Sequence, residues 1–177
     1  MDTLLINEKL FRENSPIKDN TNLSKFIPYL GIAQKIYLER LLGKALLQEL
    51  QAQVRAAADP DVGCDAITPA NRELLQRIAP VLSFYAVYQG IPFHWAAIVN
   101  KGITVRESEN SRGVDVNDIA QLRRWLRDDA EALSRILLDF LTAHRDDYPL
   151  WRPADDSGCA PNPAKSYDCG IFFPGRR

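Results

Sequence analysis

Apolar residues recur along this chain mainly at steps of three and four, the spacing that turns one face of an α-helix toward a core. The first such series begins near Pro28, which suits a first helical turn because its missing N–H would lack a helical acceptor there. Leu30, Ala33, Ile36, Tyr37, Leu41 and Leu42 follow on one predicted face. Gly43 then either caps this helix or bends the chain into the next. Residues 44–58 carry Ala45, Leu46, Leu47, Leu50 and Val54 in a stretch of high helix propensity. Asp59-Pro60-Asp61-Val62-Gly63 stops it, and residues 59–67 read as a loop.

Thr68-Pro69 restarts a helix, with Thr68 as N-cap and Pro69 at the first helical position. Leu74, Ile78, Leu82, Tyr85 and Gln89 step along one face. Pro80 inside this series predicts a kink over residues 76–80, with a break there as the alternative. Gly90-Ile91-Pro92 predicts a second interruption, and residues 93–99 then read as a short buried helix. Ile103-Thr104-Val105 is β-branched and predicts a short strand, and residues 106–115 read as a polar loop. The clearest element is a helix over 116–145, capped by Asp115, with Asp118 at the positive end of its dipole. Its apolar series is Ile119, Leu122, Leu126, Ala130, Leu133, Leu137 and Phe140.

Outside these series the pattern breaks down. Residues 1–21 hold only two apolar bursts, Leu4-Leu5-Ile6 and Leu10-Phe11, and read as an extended arm with at most one short strand. Residues 152–177 are rich in Pro, Gly, Asp and Ser, yet close on Tyr167 and Ile171-Phe172-Phe173-Pro174. Such aromatics need a surface to bury on, in this protomer or a neighbour. The expected architecture is therefore mainly α: a small helical bundle over 22–151 with a long C-terminal helix, a short β element, and arms at 1–21 and 152–177.

Composition narrows the function more than the fold. The 177 residues are 46% hydrophobic and 25% charged, ordinary for a globular domain. A formal charge of -1 gives no bulk attraction to nucleic acid or anionic lipid. No apolar run approaches the ~20 residues that span a bilayer. The first eight residues lack the basic and apolar regions of a signal peptide, so a reducing cytoplasm is expected. Cys64, Cys159 and Cys169 form no CxxC pair, and neither His94 nor His144 has metal-ligand spacing to a cysteine. No phosphate-binding, dinucleotide, zinc-protease, nucleophile-elbow or EF-hand motif occurs. The expectation is no catalysis, no metal and no cofactor.

The chemistry-bearing residues read first as structure. His94, between Phe93 and Trp95, is a satisfied histidine before it is a general base. Asp128-Asp129 and Asp146-Asp147 are solvated carboxylates, because adjacent helical side chains diverge by ~100°. Arg123, Arg124 and Arg127 are expected to pair with Asp128 and Glu131, though they also offer a basic face to a partner. Tryptophan is enriched both in cores and at interface hot spots. The candidate interface set is Phe11, Arg123, Trp125, Arg127, Trp151, Tyr167, Phe172 and Phe173.

The order of short motifs is also informative. Phe26-Ile27-Pro28-Tyr29 leads into Ala33-Gln34, Tyr37-Leu38, Leu41-Leu42-Gly43, Leu46 and Leu50. Ile78-Ala79-Pro80, Tyr85-Ala86, Ile91-Pro92, Asn100-Lys101-Gly102-Ile103 and Tyr148-Pro149-Leu150-Trp151 follow. Over residues 24–151 this resembles an uncharacterised family encoded in phage and prophage structural-gene clusters, and more loosely the phage head–tail connector (adaptor) proteins. The resemblance implies a small helical subunit of a homo-oligomeric ring in the virion neck, docked under the portal, with termini reaching its neighbours. It implies assembly in the host cytoplasm, contact with portal and tail or neck proteins, DNA at most as a lumen contact, and no membrane. It carries over no catalytic residue. A cytoplasmic helical binding or regulatory module, with a groove near Phe93, Trp95 and Trp125, remains the alternative from the residues alone.

Overall fold

A computed structural model of the chain describes residues 3–17, 21–58, 66–99, 102–105 and 116–152. These residues form a mainly α-helical bundle. Its helices are α1 (Glu8–Asn14), α2 (Ile27–Ala33), α3 (Glu39–Leu42), α4 (Lys44–Ala57), α5 (Pro69–Trp95) and α6 (Val116–Ala143). A π-helical turn, Gln34–Leu38, joins α2 to α3, and a hairpin of β1 (Ala96–Val99) and β2 (Gly102–Val105) follows α5. α5 is the central element, packed by α6 and by α1 and α2.

The N-terminal residues correct the expectation of an extended arm. Asn7 caps α1 by accepting from the Leu10 N–H at 2.9 Å, and Leu5, Ile6 and Phe11 are buried in the core. Gln34 holds this segment. It is itself buried, its Oε1 accepts from the Leu5 N–H at 3.1 Å, and its Nε2 donates to the Thr3 carbonyl at 3.0 Å. Gln51 donates to the same carbonyl at 3.3 Å, and Arg55 Nε donates to Thr3 Oγ1 at 3.0 Å. A carboxamide carries both N–H donors and an acceptor oxygen, so Gln34 can pair with a backbone N–H and a backbone carbonyl as a neighbouring strand would.

The π turn explains why the sequence periodicity slips here. Leu30, Gln34, Leu38 and Leu42 are buried at steps of four, whereas Ile36, expected on the apolar face, is 46% exposed. Steps of four stay on one face only where the turn is wider than 3.6 residues, and the π turn supplies that width.

Three elements follow the pattern closely. Gly43 bends the chain at φ 77, between α3 and α4. Thr68 accepts from the Asn71 N–H at 3.2 Å and so caps α5. Leu126, Ala130, Leu137 and Leu141 of α6 are buried, joined by Ser134, whose hydroxyl donates to the Ala130 carbonyl at 2.7 Å. Elsewhere the expectations are corrected. Neither the alternative of a break at Pro80 nor the interruption at Gly90-Ile91-Pro92 occurs, since α5 runs through both prolines to Trp95, and residues 96–99 are a strand, not a helix. Chain bulk explains the persistence of α5: Leu74, Ile78, Leu82 and Ala86 are wholly buried, and that burial outweighs the hydrogen bonds each proline deletes. Asp115, the loops over 59–65 and 106–115, and the tail from Pro153 onward lie outside the described residues.

After α6 the chain returns to the α3–α4 junction. Tyr148 donates its hydroxyl to the Ala70 carbonyl at 2.8 Å. Trp151 donates Nε1 to the Leu41 carbonyl at 3.0 Å, and the Arg152 N–H donates to the Leu42 carbonyl at 3.3 Å. The bend at Gly43 removes the onward helical donors of those two carbonyls, so the returning segment replaces them. A Cβ at Gly43 would lie 1.5 Å from the Arg152 carbonyl oxygen.

Two substitutions test this account. Gly43→Ala should lower unfolding free energy by about 2 kcal/mol or more, from a positive φ and the backbone clash together. Gly31→Ala, whose Cβ would meet only Leu4 at 3.7 Å, should be neutral or mildly stabilising in the same denaturant titration. Equal losses from both would refute the role of the junction. Gln34→Met keeps the volume but strands backbone groups, so a loss of ~1–3 kcal/mol is expected, with faster amide exchange at Leu5. Unchanged exchange there would show that the side chain does not hold the N-terminal segment.

Candidate functional site

The expected interface residues separate into buried, exposed and undescribed groups. Phe11 is fully buried, 6.5 Å from the Phe26 ring, and belongs to the core. Trp151 is also core, at 8% exposure. Both were expected at an interface, and both are drawn inward because their long-range partners lie within the same protomer. Tyr167, Phe172 and Phe173, with Cys64, Cys159 and Cys169, lie outside the described residues.

Among the described aromatic residues expected at an interface, Trp125 stays outside. It is 59% exposed on α6, and Ile136 on the same helix is 60% exposed. Eleven residues are three helical turns, so the two share one face about 16 Å apart. Ala132 lies between them and Leu122, 38% exposed, sits on the shoulder. Asp118, Asp129 and Asp139 are exposed around the same face. α6 is thus apolar on two sides: one packs on α5, and the other packs on nothing among the described residues. The sequence series put Leu122 with the first, whereas its exposure places it on the edge of the second.

The arginines of α6 lie round its side. Arg127 pairs with Asp128 at 3.3 Å and with Glu131 at 3.6 Å, as the spacing predicts, all three well exposed. Such pairs contribute little to stability. Arg123 instead lays its guanidinium over Tyr88, 4.4 Å from the ring centroid, and its buried Nε has no hydrogen-bond partner. Tyr88, Arg123, Arg124 and Arg127 line a small pocket of about 210 Å³.

A second apolar exposure lies on the first helical block. Ile32 and Ile36 are 43% and 46% exposed, one turn apart. Lys35, next to Ile36 in the chain, is exposed and lines a shallow groove with Lys44, Gln48 and Gln51. Glu39 sits in the same groove. This patch escaped the sequence pattern because the π turn moves Ile36 off the core face.

A cleft of about 490 Å³ opens between the π turn, α5, α6 and the returning segment. Tyr37 and Tyr85 stack at 4.0 Å, Leu138 and Trp151 form its walls, and Arg40 and Thr142 stand at its rim. The Tyr37 hydroxyl accepts from Gln89 Nε2, and the Tyr85 hydroxyl lies 3.3 Å from Ser134. Burial raises Tyr37 above its ordinary value, opposed by the Gln89 bond.

Both histidines lie against aromatic rings. His94 lies against Phe26, ring centroids 5.2 Å apart, in a hollow walled by Ile17, Val87, Ile91 and Leu126. His144 stacks on Phe140 at 4.3 Å, with Nδ1 2.9 Å from the Phe140 carbonyl. Among the described residues no three His, Cys, Asp or Glu side chains converge as a metal site would require, and no helix is long and apolar enough to cross a membrane.

The tyrosines give this region a pH signature. Burial first, then the carboxylates of Glu73 and Asp147, raises Tyr148 above the ordinary value of 10.0. A tyrosine whose folded value is raised adds stability that is complete below pH ~10 and is lost as pH climbs through the folded value. Unfolding free energy should therefore be flat through neutrality and fall above pH ~10. Tyr37→Phe and Tyr148→Phe should each flatten part of that fall; a slope untouched by both would refute the assignment.

Residues 38–161 match the model of DUF6712, a family of unknown function. No curated protein and no solved structure matches the chain.

Proposed function

We propose that this chain, which belongs to the DUF6712 family, is a structural protein of a phage head–tail neck. It would act as a connector subunit in a homo-oligomeric ring, bridging portal and tail by protein–protein contacts. The observation that carries the reading is the second apolar face of α6, where Trp125 and Ile136 stand more than half exposed. A tryptophan left on the outside of the longest helix is costly to hydrate and is the residue type most favoured at interface hot spots. The resemblance stated from the motifs supplies the kind of assembly. Its Gln34, Leu41-Leu42-Gly43 and Trp151 are the residues that tie the two ends of the helical domain to its middle. The aromatic tail sequence at 167–173 is a second candidate latch to neighbours, portal or tail.

On this reading the protein works in the virion neck after assembly in the host cytoplasm, with DNA touched only in the ring lumen. The mass in solution should rise above the 20.0 kDa protomer with concentration, or on adding a candidate portal protein. Deleting residues 153–177 leaves the Trp151 and Arg152 hydrogen bonds intact and should lower the assembled fraction. A protomer that stays at 20.0 kDa alone and with portal, from a gene flanked by metabolic genes, would defeat the connector assignment.

The Tyr37–Tyr85–Trp151 cleft favours a second reading, a helical binding module. An apolar ligand or partner helix seated there should quench Trp151 fluorescence saturably in a protein that remains monomeric.

A further inference from the structure

The assembly reading leaves open which surfaces meet. We infer that this chain associates head to tail with a second copy of itself, the outer face of α6 in one protomer seating on the Ile32–Ile36 patch of the next. The inference deepens the ring proposal and needs no portal, tail or phage.

Five of the seven large apolar side chains exposed among the described residues fall in these two places: Leu122, Trp125 and Ile136 on α6, and Ile32 and Ile36 on the first block. Their charged surroundings are opposite in sign. Asp118, Asp129 and Asp139 are exposed within about 40° of the Trp125–Ile136 line, at 3.6 residues per turn. Lys35 is the chain neighbour of Ile36 and lines a shallow groove together with Lys44; both are exposed. Glu39 in that groove is the one carboxylate set against them.

An acidic apolar face does not pair with itself. Two α6 helices brought together would set the three aspartates of one against those of the other, and like charges at an interface suppress association. The basic patch supplies the missing complement, aligning aspartates with lysines around an apolar centre. Nor does the protomer as a whole resist, because its formal net charge is only -1.

Geometry sets the symmetry. α2 and α6 each pack on α5, so the two faces are carried by different elements. A contact between unlike surfaces is heterologous when one partner copy cannot engage both at once. It propagates from copy to copy, and closes into a ring when the rotation between copies allows.

Charge reversal tests this without disturbing the core, because every residue changed is exposed. Asp129→Lys with Asp139→Lys should weaken self-association roughly tenfold or more in sedimentation velocity, and Lys35→Glu with Lys44→Glu should do the same. Mixing the two double variants should restore assembly, since each then meets a complementary face on the other. Trp125→Ala with Ile136→Ala should abolish association while leaving the circular dichroism melt unchanged. If the lysine variant assembles like the wild type, the α6 face meets some other surface and the inference is overturned. Failure of the mixture to reassemble, or a wild-type protein that stays monomeric at every concentration, overturns it equally. Self-association that passes these tests while no portal binds would leave the inference standing and defeat only the neck assignment.

Discussion

The bend at Gly43 is the constraint on which the rest of the fold depends. Turning the chain there leaves the Leu41 and Leu42 carbonyls without helical donors in an otherwise buried junction. Unpaired, each would cost about 1–3 kcal/mol. The chain meets that demand from residues 151 and 152, and only a glycine leaves room for the Arg152 carbonyl to pass. Position of the returning segment then follows, and with it the wall that Trp151 gives the cleft and the anchor that Tyr148 makes on α5.

Gln34 does the corresponding work at the other end. A π turn aims a polar side chain into the core, where its two hydrogen bonds to Thr3 and Leu5 make burial tolerable. The same turn moves Ile36 outward. One local irregularity therefore secures the N-terminal segment inside and creates an apolar patch outside. The proposed assembly draws on the second result: the surfaces available to a partner are those the core could not use.

Long periodic helices were legible in the sequence, and the physical reason is that burial there is a local property. The α6 series from Leu126 to Phe140 and the Thr68-Pro69 start of α5 can be read from a single turn of spacing. The connector assignment drew on motifs alone, and no relative of known function bears on it. Phe11 and Trp151 were misplaced at an interface because their partners, Phe26 and the Leu41 carbonyl, are distant in sequence. Ile36 and Ile136 were missed for opposite reasons. The first looked like core under a 3.6-residue period that the π turn breaks, and the second falls outside the dominant stripe of its helix. Residues 93–99 looked helical because Phe93-His94-Trp95-Ala96-Ala97 has no strong breaker, whereas pairing with Gly102–Val105 turns Ala96–Val99 into strand.

The span of the Trp151–Leu41 bond, 110 residues, also bears on how the domain is reached in time. A chain emerging from the ribosome can tie Thr3 and Leu5 to Gln34 and α4 while most of it is still unmade. It cannot close the α3–α4 junction until residue 152 is free. Every nascent intermediate therefore carries two open carbonyls and an uncovered Leu42, the sort of exposed apolar seam that invites chaperones or aggregation. Loop closure over that distance slows folding more than it weakens the folded state. The domain is built so that its ends finish it, and its middle waits.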